Sequence, residues 1–356
     1  MNKLWEISPF SMDKNEKKEY YSNKLMELTK KHSENCDLYN RFLKNFDFSL
    51  DKKYSPEEFP FLPVRLFKDY ELLSVDKDEV VKTMTSSGTT GQKVSKIFLD
   101  RNTSSNQTKT LVKITSEFLG KKRLPMLIID SKKVVKDRRL FSARGAGILG
   151  FSMLGYDMTY ALDDNMELCI DTVKNFLDKH KDENIFLFGF TYMIWQHFYK
   201  TLDKLDEKLD LSKGILLHGG GFKKLQDEAV DNDTYKQELK RVCKIEKVFN
   251  YYGMVEQTGS IFMECEHGRL HASNFSDIFI RNPKDFSLCK NGEQGLIQLV
   301  SVLPESYPGH SILTEDIGEI TGEDDCPCGR CGKTFKIYGR IKKAEVRGCS
   351  DTYEQK

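Results

Sequence analysis

Through the first fifty residues, apolar positions recur at spacings of three and four, as in Glu16-Lys-Lys-Glu-Tyr-Tyr-Ser-Asn-Lys-Leu-Met-Glu-Leu28. That period predicts one or two surface helices in a charged segment, 1–54. Proline then punctuates Phe59 to Pro63, and the texture changes. Four short apolar runs follow: Met126-Leu-Ile-Ile-Asp130, Ile185-Phe-Leu-Phe-Gly189, Gly214-Ile-Leu-Leu-His218 and Glu246-Lys-Val-Phe-Asn-Tyr251. Helical patterns at Glu167–His180, Met193–Leu209 and Tyr235–Cys243 lie between them. Strands alternating with helices predict an α/β fold with a mostly parallel sheet. After Gly259 the pattern shifts to short strands and turns, such as Phe279-Ile-Arg-Asn-Pro283 and Gly295-Leu-Ile-Gln-Leu-Val300. A β subdomain over about 260–338 is expected there, followed by a short, mobile polar tail, 339–356.

Composition narrows the classes. The 356 residues include 23 Phe and 15 Tyr against nine Pro, enough to bury a sizeable core and to exclude bulk disorder. The formal net charge of +1 excludes the broad positive field of a general nucleic-acid or polybasic membrane binder. The longest apolar run, Ile185 to Trp195, is shorter than the roughly 20 residues that span a bilayer. The start, Met1-Asn-Lys-Leu-Trp-Glu, lacks a basic-then-apolar leader, so a cytoplasmic protein is expected. Nine cysteines are present and four of them lie beyond Cys289. In a reducing compartment such crowding points to metal or catalysis before disulfides. Cys36, Cys169, Cys243 and Cys289 have no partners in the pattern and read as ordinary buried thiols.

The sharpest motif is Met84-Thr-Ser-Ser-Gly-Thr-Thr-Gly-Gln-Lys93. Its glycines and hydroxyls make a loop whose backbone amides can converge on a phosphate, and Lys93 adds a point charge. It lacks the Gly-Lys-Ser/Thr ending of a Walker A loop. Downstream come Gly219-Gly-Gly-Phe222, Tyr251-Tyr-Gly-Met-Val-Glu-Gln-Thr-Gly259, Thr314-Glu-Asp-Ile-Gly-Glu319 and Gly339-Arg340. His218, just before the triple glycine, either lines a pocket or is a satisfied strand-end histidine. Arg144-Gly-Ala-Gly follows no good strand and does not read as dinucleotide-binding.

This ordered series resembles the adenylate-forming superfamily of acyl-CoA synthetases and luciferases. The resemblance implies that Thr85, Ser86, Ser87, Gly88, Thr89, Thr90 and Gly91 wrap ATP phosphates, with Lys93 beside them. It implies nucleotide contacts from Gly219, Gly220, Gly221, Tyr252 and Gly253, and a magnesium-associated carboxylate at Glu256. Asp316 would hold the ribose hydroxyls, and Arg340 would lie near the nucleotide. Superfamily members carry a C-terminal lid domain with a lysine that aids adenylation. Here the sequence runs only 16 residues past Arg340, so that lid is expected to be largely absent. A short adenylating chain with a cysteine near its end resembles the acyl-protein synthetases of bacterial bioluminescence (the LuxE family), from about residue 55 onward. The resemblance implies that a fatty acid is activated as acyl-AMP, passed to Cys349 as a thioester, and delivered to an acyl reductase.

The residues around Cys349 agree with that role. Lys342, Lys343 and Arg347 outnumber the single upstream acid Glu345, which favours the thiolate over an unperturbed thiol of pKa around 8.5. A second group, Cys326-Pro-Cys-Gly-Arg-Cys331, places three thiols on a Gly/Pro turn. Cys265 would complete a tetrahedral structural zinc site with Cys326, Cys328 and Cys331, and His267 is the alternative to Cys265. A similar Cys-x-Cys-Gly-Arg segment occurs in proteins resembling phenylacetate-CoA ligase, some of which hold zinc there. Two other functions stay open at this point: a ligase delivering the acyl group to coenzyme A, and a catalytically silent zinc-bearing interaction module.

Overall fold

The apolar runs of the middle of the chain form the strands Leu124–Ser131, Ile185–Phe190, Gly214–Gly219 and Lys247–Tyr252. In the computed structural model, which describes residues 2–46, 48–86, 93–136, 143–205 and 208–341, these strands belong to a unit spanning 115–252. A fifth strand, Gly155–Leu162, joins them. All pairings are parallel, in the order 155–162, 124–131, 185–190, 214–219, 247–252. The three middle strands are buried almost end to end, as parallel strands covered on both faces must be. Strand Gly155–Leu162 sits at the edge, and its Tyr-Asp-Met-Thr-Tyr stretch is largely solvent-facing. It lacks the apolar run by which the others are legible.

Helix Asn232–Cys243 starts where the Asp231 carboxylate accepts from the Thr234 amide at 2.7 Å, and ends at Lys244 in the left-handed region. Helical structure covers Thr191–Asp203, stopping short of the Leu209 expected from the pattern. Trp195, Phe198, Tyr235 and Leu239 pack with Leu187 and Leu216 into one core. Each such side chain contributes about 1.5–3 kcal/mol by leaving water.

The other unit combines 2–114 with 253–341. Its sheet is antiparallel, ordered Ser276–Arg281, Gly295–Ser301, Ser311–Glu323, Lys333–Arg340, Leu270–His271, Phe262–Glu264. Leu62–Pro63 adds in parallel to Ser311–Glu323. A separate hairpin pairs Val80–Thr85 with Lys96–Asp100. Gly339 and Arg340, expected in the tail, are the last residues of a strand.

The charged N-terminal segment gives the helices Lys14–Asn35 and Asp37–Lys44. The first begins with a capping box between Asp13 and Glu16. Its buried stripe holds Tyr21, Leu25 and Leu28, but also Lys17, Thr29 and His32. Lys17 Nζ lies 3.6 Å from Asp277 Oδ1, and Lys333 Nζ lies 2.8 Å from the other oxygen. Burial pushes the Asp277 carboxyl up, yet the two ammonium groups hold it below its ordinary value. His32 stacks on His310 at 5.0 Å between centroids, and its ring nitrogens meet Ser74 Oγ and the Pro304 carbonyl. His310 Nε2 meets Thr29 Oγ1 and the Tyr39 hydroxyl. Among the described residues no helix is long and apolar enough to cross a membrane.

Burial keeps His310 and, in the other unit, His218 neutral down to about pH 3, and holds His32 well below the ordinary 6.5. An unfolded histidine takes up a proton near pH 6.5 while these folded ones do not. Their contribution to stability is therefore complete above pH 6.5 and is lost as pH falls toward 3, at about 1.4 kcal/mol per histidine per pH unit. Urea denaturation should give a lower midpoint at pH 5.0 than at 7.5. His310→Gln should be less stable at pH 7.5 but show a shallower slope between 6.5 and 5. An unchanged slope would mean that the His310 ring is protonated in the folded protein.

Candidate functional site

The glycine- and hydroxyl-rich motif begins on the strand Val80–Thr85, which pairs antiparallel with Lys96–Asp100. Thr85 pairs with Lys96 at the last rung, and beyond it the Ser86 amide donates to the Ser95 carbonyl at 3.1 Å. The Ser95 amide donates back to Ser86 Oγ at 2.9 Å. These reciprocal bonds close the ladder just before the loop. Ser87, Gly88, Thr89, Thr90 and Gly91 lie outside the described residues. Lys93 is exposed, with Nζ 3.5 Å from Asp69 Oδ1.

Glu256 lies in the short helical turn Val255–Gln257, and its side chain is buried. Mg²⁺ takes one or two carboxylates and completes its shell with water and substrate phosphate oxygens, so a single buried glutamate suits it.

Asp316 and Arg340 come from motifs apart in the sequence, and the structure sets them directly opposite each other. The Arg340 Nε lies 3.4 Å from Asp316 Oδ1, and both side chains retain some solvent access. A local irregularity produces this. Ile317 pairs with Gly339 but Gly318 pairs with Ile337, so Tyr338 is an extra residue on its strand. Gly339 takes φ 107, a conformation side chains rarely tolerate, and the bulge sets Arg340 against Asp316. On the other strand the Asp316 amide donates to Thr314 Oγ1 at 3.1 Å, and that hydroxyl donates to the Ile297 carbonyl.

In the unit 115–252, Gly219 ends its strand directly beside Tyr251. A Cβ on Gly219 would lie 2.8 Å from the Tyr251 carbonyl and ring, so only glycine fits. Gly220 and Gly221 follow with φ 86 and 65, and Gly221 faces open space. Carboxyl ends of parallel strands are where such sheets bind ligands. Tyr252 is half-buried on the same strand end, and the exposed Gly253 opens the other unit. His218 is buried against the Tyr235 ring with Nδ1 2.9 Å from Thr191 Oγ1. Arg144 lies on helix Ala143–Phe151, where its guanidinium forms a buried pair with Asp130, Nε 2.9 Å from Oδ2.

The cysteines converge in the antiparallel unit. Ligand atoms of Cys265, His271, Cys326 and Cys328 all lie within 4.8 Å of one another. The Cys265 and Cys326 sulfurs are 3.8 Å apart, too far for a disulfide, and Cys328 Sγ is 3.4 Å from His271 Nε2. Tetrahedral bonds of about 2.3 Å to sulfur and 2.0–2.1 Å to nitrogen put two sulfurs about 3.8 Å apart and a sulfur and a nitrogen about 3.6 Å apart. The donor set therefore fits one zinc ion.

Three of the four expected thiols are in this group; Cys331 is not. The chain turns at Gly329 with φ 76, and the Cys331 amide bonds the Phe10 carbonyl. Burial, then the nearby Asp324, Asp13 and Glu16 carboxylates, push the Cys331 thiol up. His267 is not in the group either; its amide donates to Cys265 Sγ. His271 takes the fourth place from strand Leu270–His271. The signal available for it was a histidine six residues past Cys265 on a short apolar strand. Cys349 lies outside the described residues.

Several known proteins are similar to this chain in sequence or fold. A long-chain-fatty-acid–luciferin-component ligase of Aliivibrio fischeri is 25% identical over 316 residues, covering 84% of this chain and 79% of that protein. The Vibrio harveyi protein of the same name is 24% identical over 336 residues, covering 91% and 84%. Among solved structures, the open conformation of 2-hydroxyisobutyryl-CoA ligase with 2-HIB-AMP and CoA superimposes at TM-score 0.73 and 16% identity, covering 94% of this chain and 77% of that one. Its postadenylation state gives 0.72 at 15% identity, with 94% and 69% covered. The fold is thus that of the adenylate-forming ligases. The model of the family described as "Acyl-protein synthetase, LuxE" matches residues 2–356, and the chain belongs to that family.

Proposed function

We propose that this enzyme activates a long-chain fatty acid with ATP and passes the acyl group through its own Cys349 to an acceptor protein such as an acyl reductase. The observation that carries the nucleotide part is the Asp316–Arg340 pair, two motif residues set face to face by a glycine bulge. The names of the two relatives support the fatty acid. Eight free cysteines among the described residues suit a cytoplasmic setting.

In the first step a carboxylate oxygen attacks the α-phosphorus of ATP. A C–O–P anhydride forms, the bond to the β-phosphate bridge breaks, and pyrophosphate leaves with the electron pair. The reaction converts a carboxylate, which has no usable leaving group, into an acyl donor that expels AMP. Thr85, Ser86 and the loop through Gly91, with Lys93, would offset phosphate charge. Glu256 would hold Mg²⁺, which when bound neutralises phosphate charge. Asp316 would accept from the ribose hydroxyls, with Arg340 beside the nucleotide; Gly219–Gly221, Tyr252 and Gly253 would line the nucleotide. In the second step the Cys349 thiolate attacks the acyl carbon, AMP leaves, and a thioester remains. Cys265, His271, Cys326 and Cys328 would hold a structural zinc, since four protein ligands leave no open position for substrate.

ATP–pyrophosphate exchange dependent on a fatty acid tests the first step. Asp316→Ala should weaken ATP binding roughly tenfold or more, the loss of charge-assisted hydrogen bonds at about 1.5–3 kcal/mol each. Wild-type exchange in Asp316→Ala and Glu256→Gln together would remove the adenylation reading.

Elemental analysis of protein never exposed to chelator should find close to one zinc per chain. Because binding energy at such a site is folding energy, Cys328→Ser and His271→Ala should lower the thermal midpoint and release the metal. Cys331→Ser should do neither. Zinc-free protein of wild-type stability would end this assignment.

Cys349→Ser should still exchange pyrophosphate yet lose the acyl label, which in the wild type should be cleaved by neutral hydroxylamine. Free turnover of coenzyme A with Cys349 removed would instead identify an acid–CoA ligase.

A further inference from the structure

We infer that Tyr307 is a positioning residue for Glu256, setting the main-chain place from which that carboxylate works. The inference rests on the reading of Glu256 as the magnesium-associated group.

Tyr307 is wholly buried, and its hydroxyl donates to the Glu256 carbonyl at 3.0 Å. The same oxygen accepts from Gln107 Nε2 at 3.4 Å, on helix Arg101–Leu119. The phenol is thus used as donor and as acceptor, and burial raises its pKa far above working pH, so it stays a donor. Gly309 crowds the same point. A Cβ there would lie 2.9 Å from the Glu256 carbonyl and would strike the Tyr307 ring. Next along the turn, Gln257 spends both amide hydrogens, on the Gly309 carbonyl at 2.8 Å and the Leu299 carbonyl at 3.1 Å. Gly259, at φ 92, presses against the Gln107 backbone, where a Cβ would come within 2.6 Å. The turn is held by the Tyr307 hydroxyl on one residue and by the Gln257 side-chain amide on the next.

Such a grip has a function that packing alone does not require. A carboxylate that meets a metal–nucleotide complex must be placed within fractions of an ångström before the ligand arrives. The three-residue turn Val255–Gln257 has too few hydrogen bonds of its own to provide that. Tyr307 and the Gly309 bend supply what the turn lacks. Tyr307→Phe keeps the ring and removes the hydroxyl's bonds to the Glu256 carbonyl and Gln107 Nε2.

The test is calorimetric binding of a non-hydrolysable ATP analogue across a magnesium titration, without turnover, in wild type, Tyr307→Phe, Gly309→Ala and Glu256→Gln. Ile312→Val serves as the packing control, since Ile312 shares the apolar cluster with Tyr307 and its strand pairs with Leu62 and Leu299. Tyr307→Phe should raise the magnesium concentration for half-maximal binding roughly three- to tenfold, the scale of one neutral hydrogen bond. Gly309→Ala should shift it the same way, and Ile312→Val should lower only the thermal midpoint. In steady state, Tyr307→Phe should lower kcat for adenylation while leaving KM for the fatty acid unchanged. A magnesium dependence altered in Glu256→Gln but unaltered in Tyr307→Phe and Gly309→Ala would overturn the inference while sparing the Glu256 reading. An unaltered dependence in Glu256→Gln would remove both.

Discussion

A carboxylate buried between two ammonium groups sets the register on which the antiparallel unit depends. Asp277 reaches Lys333 at 2.8 Å and Lys17 at 3.6 Å, with all three side chains mostly withdrawn from water. Breaking such a cluster by removing one partner leaves an unpaired buried charge, at a cost of about 3–5 kcal/mol. Lys333 opens the strand Lys333–Arg340. Its neighbour Thr334 pairs with His271 of the thiol–imidazole cluster, and its last residue, Arg340, faces Asp316. One strand therefore carries the ion cluster, the partner of the imidazole in the thiol–imidazole cluster and the arginine of the Gly-Arg motif. A slip by one residue would turn every one of them to the wrong face.

The two units are held by different physics. In the unit 115–252, Leu187, Leu216, Phe198 and their neighbours form an apolar core around strands that are buried end to end. The other unit buries many polar groups: the Asp277 cluster, the His32–His310 stack, and the Gln107–Tyr307–Glu256 chain. Buried polar networks add modest net stability, because each group gives up water to join. Their geometry is directional, and each group has few acceptable positions. The unit holding Glu256, Asp316 and Arg340 is thus the one whose interior specifies position most tightly.

Where a turn must bring backbone close to a neighbour or reverse direction, the chain spends glycine. Gly339 makes the bulge that sets Arg340 against Asp316, and Gly309 clears the space that Tyr307 fills against Glu256.

Four of the five parallel strands and the order of the motifs were legible in the sequence, because apolar runs and glycine turns are local signals. The edge strand Gly155–Leu162 was not, since half of it faces water and offers no continuous run. The motif series also identified Asp316 and Arg340 separately, but not that they touch; a one-residue bulge at Tyr338–Gly339 decides that. The same holds for the cysteines. Their crowding predicted a metal cluster, yet the Gly329 turn carries Cys331 away and strand pairing brings His271 in. Tyr307 carries no motif at all, and its bond to Glu256 exists only because distant segments pack together. Periodicity and spacing report what a residue does within its own element. Which side chains meet across elements depends on register, and register is settled by the buried contacts of the whole fold.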